Sequence, residues 1–160
     1  MDRAPAGAQE VALSSTYVSL FFQLVFSTRN RARSILDPWR DRLHAYLGGI
    51  VRSMGGMALE VGGTQDHVHI LASLAATHRI ADVMMGVKSS SSQWVHRDIR
   101  SRRFAWQEGY GAFSVSRSDV EAVREYIRNQ AEHHRHITFQ EEYVNILREQ
   151  GIEFDSRYLW

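Results

Sequence analysis

The sequence predicts an α+β domain: an antiparallel sheet of split βαβ order, helices packed on it, and a further helix at the C-terminal end. Three observations carry this prediction. Segments of two-residue alternation exchange with segments of helical spacing in the order strand, helix, strand, strand, helix, strand, helix, helix. A length of 160 residues suits a single domain. A 44% hydrophobic and 23% charged composition is that of an ordinary globular chain, not a disordered one.

Residues 1–14 (MDRAPAGAQEVALS) show no period and read as a flexible N-terminal tail. Over 16–28, Val18, Leu20, Phe22, Leu24 and Phe26 alternate with a second set that is also bulky, which predicts a long central strand with both faces covered. Arg29-Asn30-Arg31-Ala32-Arg33 is a polar turn. Asp37-Pro38 supplies an N-cap and a first-turn proline for a helix through Trp39, Leu43, Tyr46, Leu47 and Ile50, which Gly55-Gly56 ends. Strands follow at 57–61 and 65–74, with Gly62-Gly63 as a turn or bulge between them. Residues 80–99 have helical spacing despite the four serines at 89–92, and 104–115 is an aromatic strand interrupted by Gly109 and Gly111. Ser118-Asp119-Val120-Glu121 has the pattern of a capping box opening a helix to about residue 134. A last helix is predicted over 139–150, within a C-terminal extension (138–160) of the domain that spans 15–137.

Composition excludes several classes of protein. The absence of cysteine removes disulfide scaffolds, thiolate metal sites and a cysteine nucleophile. No apolar stretch approaches the roughly 20 residues that cross a bilayer, and no export signal is evident, so a soluble cytoplasmic protein with no membrane partner is expected. The net charge of +1 conceals an asymmetry. Residues 29–103 carry a balance of +6 and residues 104–160 one of −4. All basic residues but Lys88 are arginine, whose planar fork suits phosphate oxygens.

Two groups of residues can do chemistry. In Asp66-His67-Val68-His69, period two sends both histidines to one strand face and Val68 and Ile70 to the other. Such a pair is either a two-point metal grip, with Asp66 orienting an imidazole from behind, or a solvated polar face. On the helix after Ser118, Tyr126, Gln130 and His133 share a flank of the stripe formed by Val120, Val123, Ile127 and Ala131. That flank is either a reactive edge or ordinary packing at a core boundary. Arg29, Arg31, Arg33, Arg100, Arg102 and Arg103 flank these elements and are candidates for holding phosphates. Trp106 and Tyr110 are candidates for stacking on bases, whereas Phe113 reads as core.

Taken together, these features resemble the single-tyrosine HUH transposases of the smallest bacterial insertion sequences, the 200/605 type. The resemblance spans about residues 16–136. It rests on Val25-Phe26-Ser27-Thr28-Arg29-Asn30-Arg31, on Asp66-His67-Val68-His69-Ile70-Leu71, on Lys88-Ser89-Ser90-Ser91-Ser92, on the stretch from Trp106 to Val115, and on Tyr126-Ile127-Arg128-Asn129-Gln130. The resemblance implies a ferredoxin-like fold and a DNA strand transferase that cuts and rejoins single-stranded DNA through a 5′-phosphotyrosine. It implies Tyr126 as nucleophile, His67, His69 and Gln130 as ligands of Mg²⁺ or Mn²⁺, and Lys88 on a DNA-facing helix. It further implies hairpin-ended single-stranded DNA as substrate, and a homodimer in which the tyrosine helix can serve the partner's histidines.

The residue types suit this reaction. A phosphotyrosine conserves the energy of the broken ester, and a cation compensates for a phenol whose ordinary pKa lies near 10. A thiolate-free set of imidazoles and an amide favours an open phosphate-binding site over a closed zinc site. His133, the substrate itself or a water molecule are the candidates for general base. Three other readings stand beside this one. A replication-initiator or relaxase nuclease shares the histidine pair but is usually larger. A non-catalytic nucleic-acid-binding protein of the same fold would not need all four site residues. A metal hydrolase unrelated to DNA would need further ligands.

Overall fold

A computed structural model of the chain describes residues 15–160; the tail expected over 1–14 lies outside the described residues. Four antiparallel strands form one sheet in the order β2-β3-β1-β4. They are β1 (Phe21–Ser27), β2 (Met57–Gly63), β3 (His67–Ser73) and β4 (Gly111–Val115). Helices α1 (Asp37–Ser53) and α2 (Ile80–Trp94) make the two crossovers, which is the split βαβ order expected. Helices α3 (Val120–Arg128), α4 (Gln130–His133) and α5 (Phe139–Glu149) follow β4.

Alternation along the central strands divides the sheet into two faces. Leu24, Phe26, Val68, Ile70 and Ala72 point into the larger core with Leu43, Leu47 and Val51 of α1 and Val83, Met84 and Val87 of α2. On the opposite face, Leu71 meets Val120 and Ile127 of α3, while Val25 and Phe113 meet Phe139 and Leu147 of α5. One serine of the 89–92 run is buried in α2: Ser91 donates to the Val87 carbonyl at 2.6 Å and accepts from the Trp106 indole at 2.9 Å. Trp106 and Phe113 are therefore core residues, and Tyr110 is the exposed aromatic of that stretch.

Several boundaries differ from the sequence reading. The first strand begins at Phe21, because only from there does β1 have a partner on each side; Tyr17 and Val18 are exposed. Helix α2 gives way after Trp94 to a π-helical turn ending at Arg100, whose φ is 62°. Among the described residues, the stretch before β4 pairs its backbone with the sheet edge only at a bridge from Trp106 to Thr28. Ser118 makes no cap; the reciprocal capping box is at Thr138 and Glu141, opening α5. The helix expected to run to about residue 134 breaks at Asn129 (φ −95°, ψ 19°), which separates Tyr126 on α3 from Gln130 on α4.

One glycine brings the tyrosine helix to the sheet, and a second closes the turn between β2 and β3. A Cβ at Gly62 would lie 2.3 Å from the Ile127 carbonyl oxygen, so only glycine lets α3 pack this closely on β2. Gly63 (φ 152°) lies where a Cβ would strike the His67 carbonyl oxygen at 2.1 Å.

Candidate active site

His67 and His69 occupy alternate positions of β3 and share the face covered by α3, α4 and α5. β3 lies between β1 and β2, with His69 opposite Val25 and Gly62, so neither imidazole can reach solvent along the sheet. Both rings are wholly buried. Their centroids stand 5.2 Å apart, and Phe139 stacks on His67 at 4.4 Å.

Each ring is held from behind. Asp66 Oδ1 lies 2.7 Å from His67 Nδ1, and Thr64 Oγ1 lies 3.2 Å from the same carboxylate oxygen. Asp66 precedes the strand proper, so its side chain is free to turn beside that of its neighbour. Burial raises the Asp66 pKa, but the hydrogen bond and charge of His67, with the Thr64 hydrogen bond and the His134 charge, together outweigh it and keep the carboxyl below its ordinary value. Fixing the His67 proton on Nδ1 leaves Nε2 facing the Gln130 Oε1 at 2.8 Å. The Gln23 amide lies 3.0 Å from His69 Nδ1, where it can serve as donor or, with its O and N exchanged, as acceptor.

Glu142 of α5 stands at the centre of this group with 2% exposure. Its Oε1 is 2.5 Å from His69 Nε2 and 3.9 Å from His67 Nε2. Its Oε2 is 2.7 Å from His134 Nε2 and 3.0 Å from His133 Nε2. Burial pushes the carboxyl up, yet contacts with His134 and His69 hold it well below the usual carboxylate range. The same contact, against the effect of burial, raises the pKa of His134. His69 has no such net support, and burial lowers its pKa.

Tyr126 completes the constellation. Its ring meets His69 edge-on at 5.9 Å, and its hydroxyl lies 3.5 Å from His133 Nε2. Burial first, and the Glu142 charge second, push the phenol well above its ordinary pKa. A cleft of about 420 Å³ between α3 and α5, lined by Tyr126, His133, Glu142 and Ile146, opens onto this hydroxyl.

The donor set fits a divalent cation. The Nδ1 proton of His134 goes to the Ile137 carbonyl at 2.8 Å, as that of His67 goes to Asp66. Neutral forms of both rings then turn Nε2 lone pairs toward Gln130 Oε1 and the Glu142 carboxylate, all acceptors. A proton on His134, which Glu142 favours, a turned Gln130 amide or a cation reconciles such a convergence. His69 Nε2 and Glu142 Oε1 are buried together, 2.5 Å apart.

Among the residues expected to carry chemistry, His67, His69, Gln130 and Tyr126 thus come together, and all from one chain. Arg31 and Arg33 line a second cleft of about 660 Å³ with Arg40 and Arg135, beside Asp66 and His134. Arg29 is exposed in the turn after β1. Arg100, Arg102 and Arg103 are exposed on a loop whose flanking residues, Ile99 and Phe104, pack into the α1–α2 layer, away from the histidines. Lys88 is turned to its own chain, donating to the carbonyls of Gln107 at 2.6 Å and Gly109 at 2.5 Å. Sequence reasoning missed Glu142 and His134. The available signal for Glu142 was its place in the apolar stripe of α5, with Phe139, Tyr143, Ile146 and Leu147, where a charge demands a partner.

Comparison with known proteins agrees with this fold. The family model described as "Transposase IS200 like" matches residues 16–130. No curated protein matches the chain. Among solved structures, the chain is similar to a candidate transposase from Deinococcus radiodurans R1, with 22% identity and a TM-score of 0.59 over 73% of this chain and 95% of that one. It is also similar to a REP-associated tyrosine transposase bound to a REP hairpin, with 14% identity and a TM-score of 0.57 over 76% of this chain and 73% of that one. At these identities the two structures establish the shared fold.

Proposed function

The chain belongs to the family of IS200-like transposases, and from that premise we propose that it cuts and rejoins single-stranded DNA at hairpin-bearing ends through a 5′-phosphotyrosine on Tyr126, aided by Mg²⁺ or Mn²⁺. The observation that carries this reading is the meeting of Tyr126 with His67, His69 and Gln130 on one buried face of the sheet. The hairpin in the neighbouring complex supports the substrate class.

His67, His69 and Gln130 hold the cation, with Asp66 fixing the His67 ring. When bound there, a divalent cation neutralises charge gathering on the scissile phosphate. Tyr126 oxygen bonds to phosphorus as the bond to the 3′ oxygen breaks, and the departing oxygen takes a proton from His133 or solvent water to leave as a 3′ hydroxyl. Once its contact with Glu142 is given up, His133, whose Nε2 lies 3.5 Å from the phenol oxygen, can accept the phenolic proton. Its help matters because Tyr126 is protonated in the resting site, where burial and Glu142 oppose a phenolate. A 3′ hydroxyl attacking the phosphotyrosine reverses the exchange and reseals DNA without an external energy source.

Arg31 and Arg33 line the second cleft, beside Asp66 and His134, and there receive phosphates of the strand. Arg29, Arg100, Arg102 and Arg103 are placed for contacts further along the DNA, and Lys88 contributes by anchoring the 107–109 loop. A pair of chains suits the rejoining step, in which two cut ends must meet.

Incubation with hairpin single-stranded DNA and Mn²⁺ is expected to give a covalent protein–DNA adduct on denaturing gels, absent from Tyr126→Phe. His67→Ala is expected to retain DNA binding and lose cleavage. An adduct that persists in Tyr126→Phe would refute the assignment of the nucleophile.

A further inference from the structure

We propose that Glu142 is a fourth protein ligand of the cation, delivered by a helix that lies beyond the 16–130 segment matched by the family. The proposal rests on the reading of His67, His69 and Gln130 as the other three donors. Ligands at about 2.1 Å from a six-coordinate cation stand roughly 3 Å apart when adjacent. The donor separations here scatter around that value: 2.8 Å from His67 Nε2 to Gln130 Oε1, 2.5 Å from His69 Nε2 to Glu142 Oε1, and 3.9 Å from His67 Nε2 to the same oxygen. His69 Nε2 and Glu142 Oε1 lie 2.5 Å apart, so both can be aimed at one shared point.

Charge argues the same way. Two imidazoles and an amide are neutral, so a doubly charged ion among wholly buried rings would be left uncompensated. One carboxylate halves that charge, and a hard oxygen suits Mg²⁺ or Mn²⁺ better than imidazole does. The second carboxylate oxygen is already engaged by His134 and His133, which orients Oε1 toward the centre. The Thr138–Glu141 capping box and the Phe139 stack on His67 fix the first turn of α5, so Glu142 is placed by a rigid element. The cleft beside Tyr126 leaves a side of the centre open to a phosphate.

The test is Mn²⁺ binding to the full chain, followed by calorimetry and by the electron paramagnetic resonance of free and bound Mn²⁺. Wild type is expected to bind and His67→Ala to lose binding. Glu142→Gln is expected to weaken binding by at least about 10–100-fold, with Glu142→Asp recovering part of the affinity and circular dichroism showing both variants folded. Absence of binding by wild type would overturn the centre and the fourth ligand together. Binding by wild type and not by His67→Ala, with Glu142→Gln within twofold of wild type or tighter, would sustain the centre and refute Glu142 as a ligand, leaving it as a cover over the donors.

Discussion

A carboxylate with 2% exposure among His69, His133 and His134 makes the electrostatics of this chain centre on one side chain of α5. Elsewhere the effect of burial acts alone. The Nε2 of His44 on α1 is buried without a partner, and burial, only partly opposed by Asp41, lowers the pKa of this imidazole to about 4. Because the folded pKa lies below the unfolded one, the folded chain resists the proton that the unfolded chain accepts. Stability is complete above about pH 6.5 and is lost as pH falls toward 4, by on the order of 2–3 kcal/mol for this residue. Thermal melts of wild type and His44→Gln between pH 7 and 4 are expected to diverge over that window; parallel curves would contradict the assignment. At this scale the histidine pair was legible, because period two allows His67 and His69 only one common face. Glu142 was not, because spacing cannot reveal that an acidic helix residue faces imidazoles more than 70 positions earlier in the chain.

Elements meet most tightly where β2 passes under α3. Gly62→Ala would drive a methyl group into the Ile127 carbonyl, and α3 would have to move outward with Tyr126 on its flank. The expected loss is about 1–3 kcal/mol in chemical denaturation, with a fall in adduct yield larger than the lost stability explains. Unchanged adduct formation in Gly62→Ala would mean that the seat of α3 does not position the nucleophile. All four strands and the principal helices were legible from alternation and helical spacing. The ends were not, since they depend on partners: β1 starts where both neighbours begin, and residues before β4 lack a strand to pair with. The capping motif occurs twice in the sequence, at Ser118 and Thr138, and only the packing of α5 decides which one closes.

The whole molecule is a sheet between two helical layers, with one layer devoted to a continuous core and the other to the histidines. Residues 138–160, acidic and without an assigned role in the sequence, contribute to the cover over the site through Phe139 and Glu142. Among the described residues, no helix is long and apolar enough to cross a membrane. The close seat of α3 on Gly62 carries a kinetic consequence. Because a single polypeptide already places its phenol beside its own imidazoles, the strand scission proposed for this site would need no encounter between copies. With DNA in excess, the initial adduct per chain should stay constant on dilution, giving a first-order dependence on enzyme. A quadratic dependence would instead show that α3 leaves Gly62 to act across two molecules.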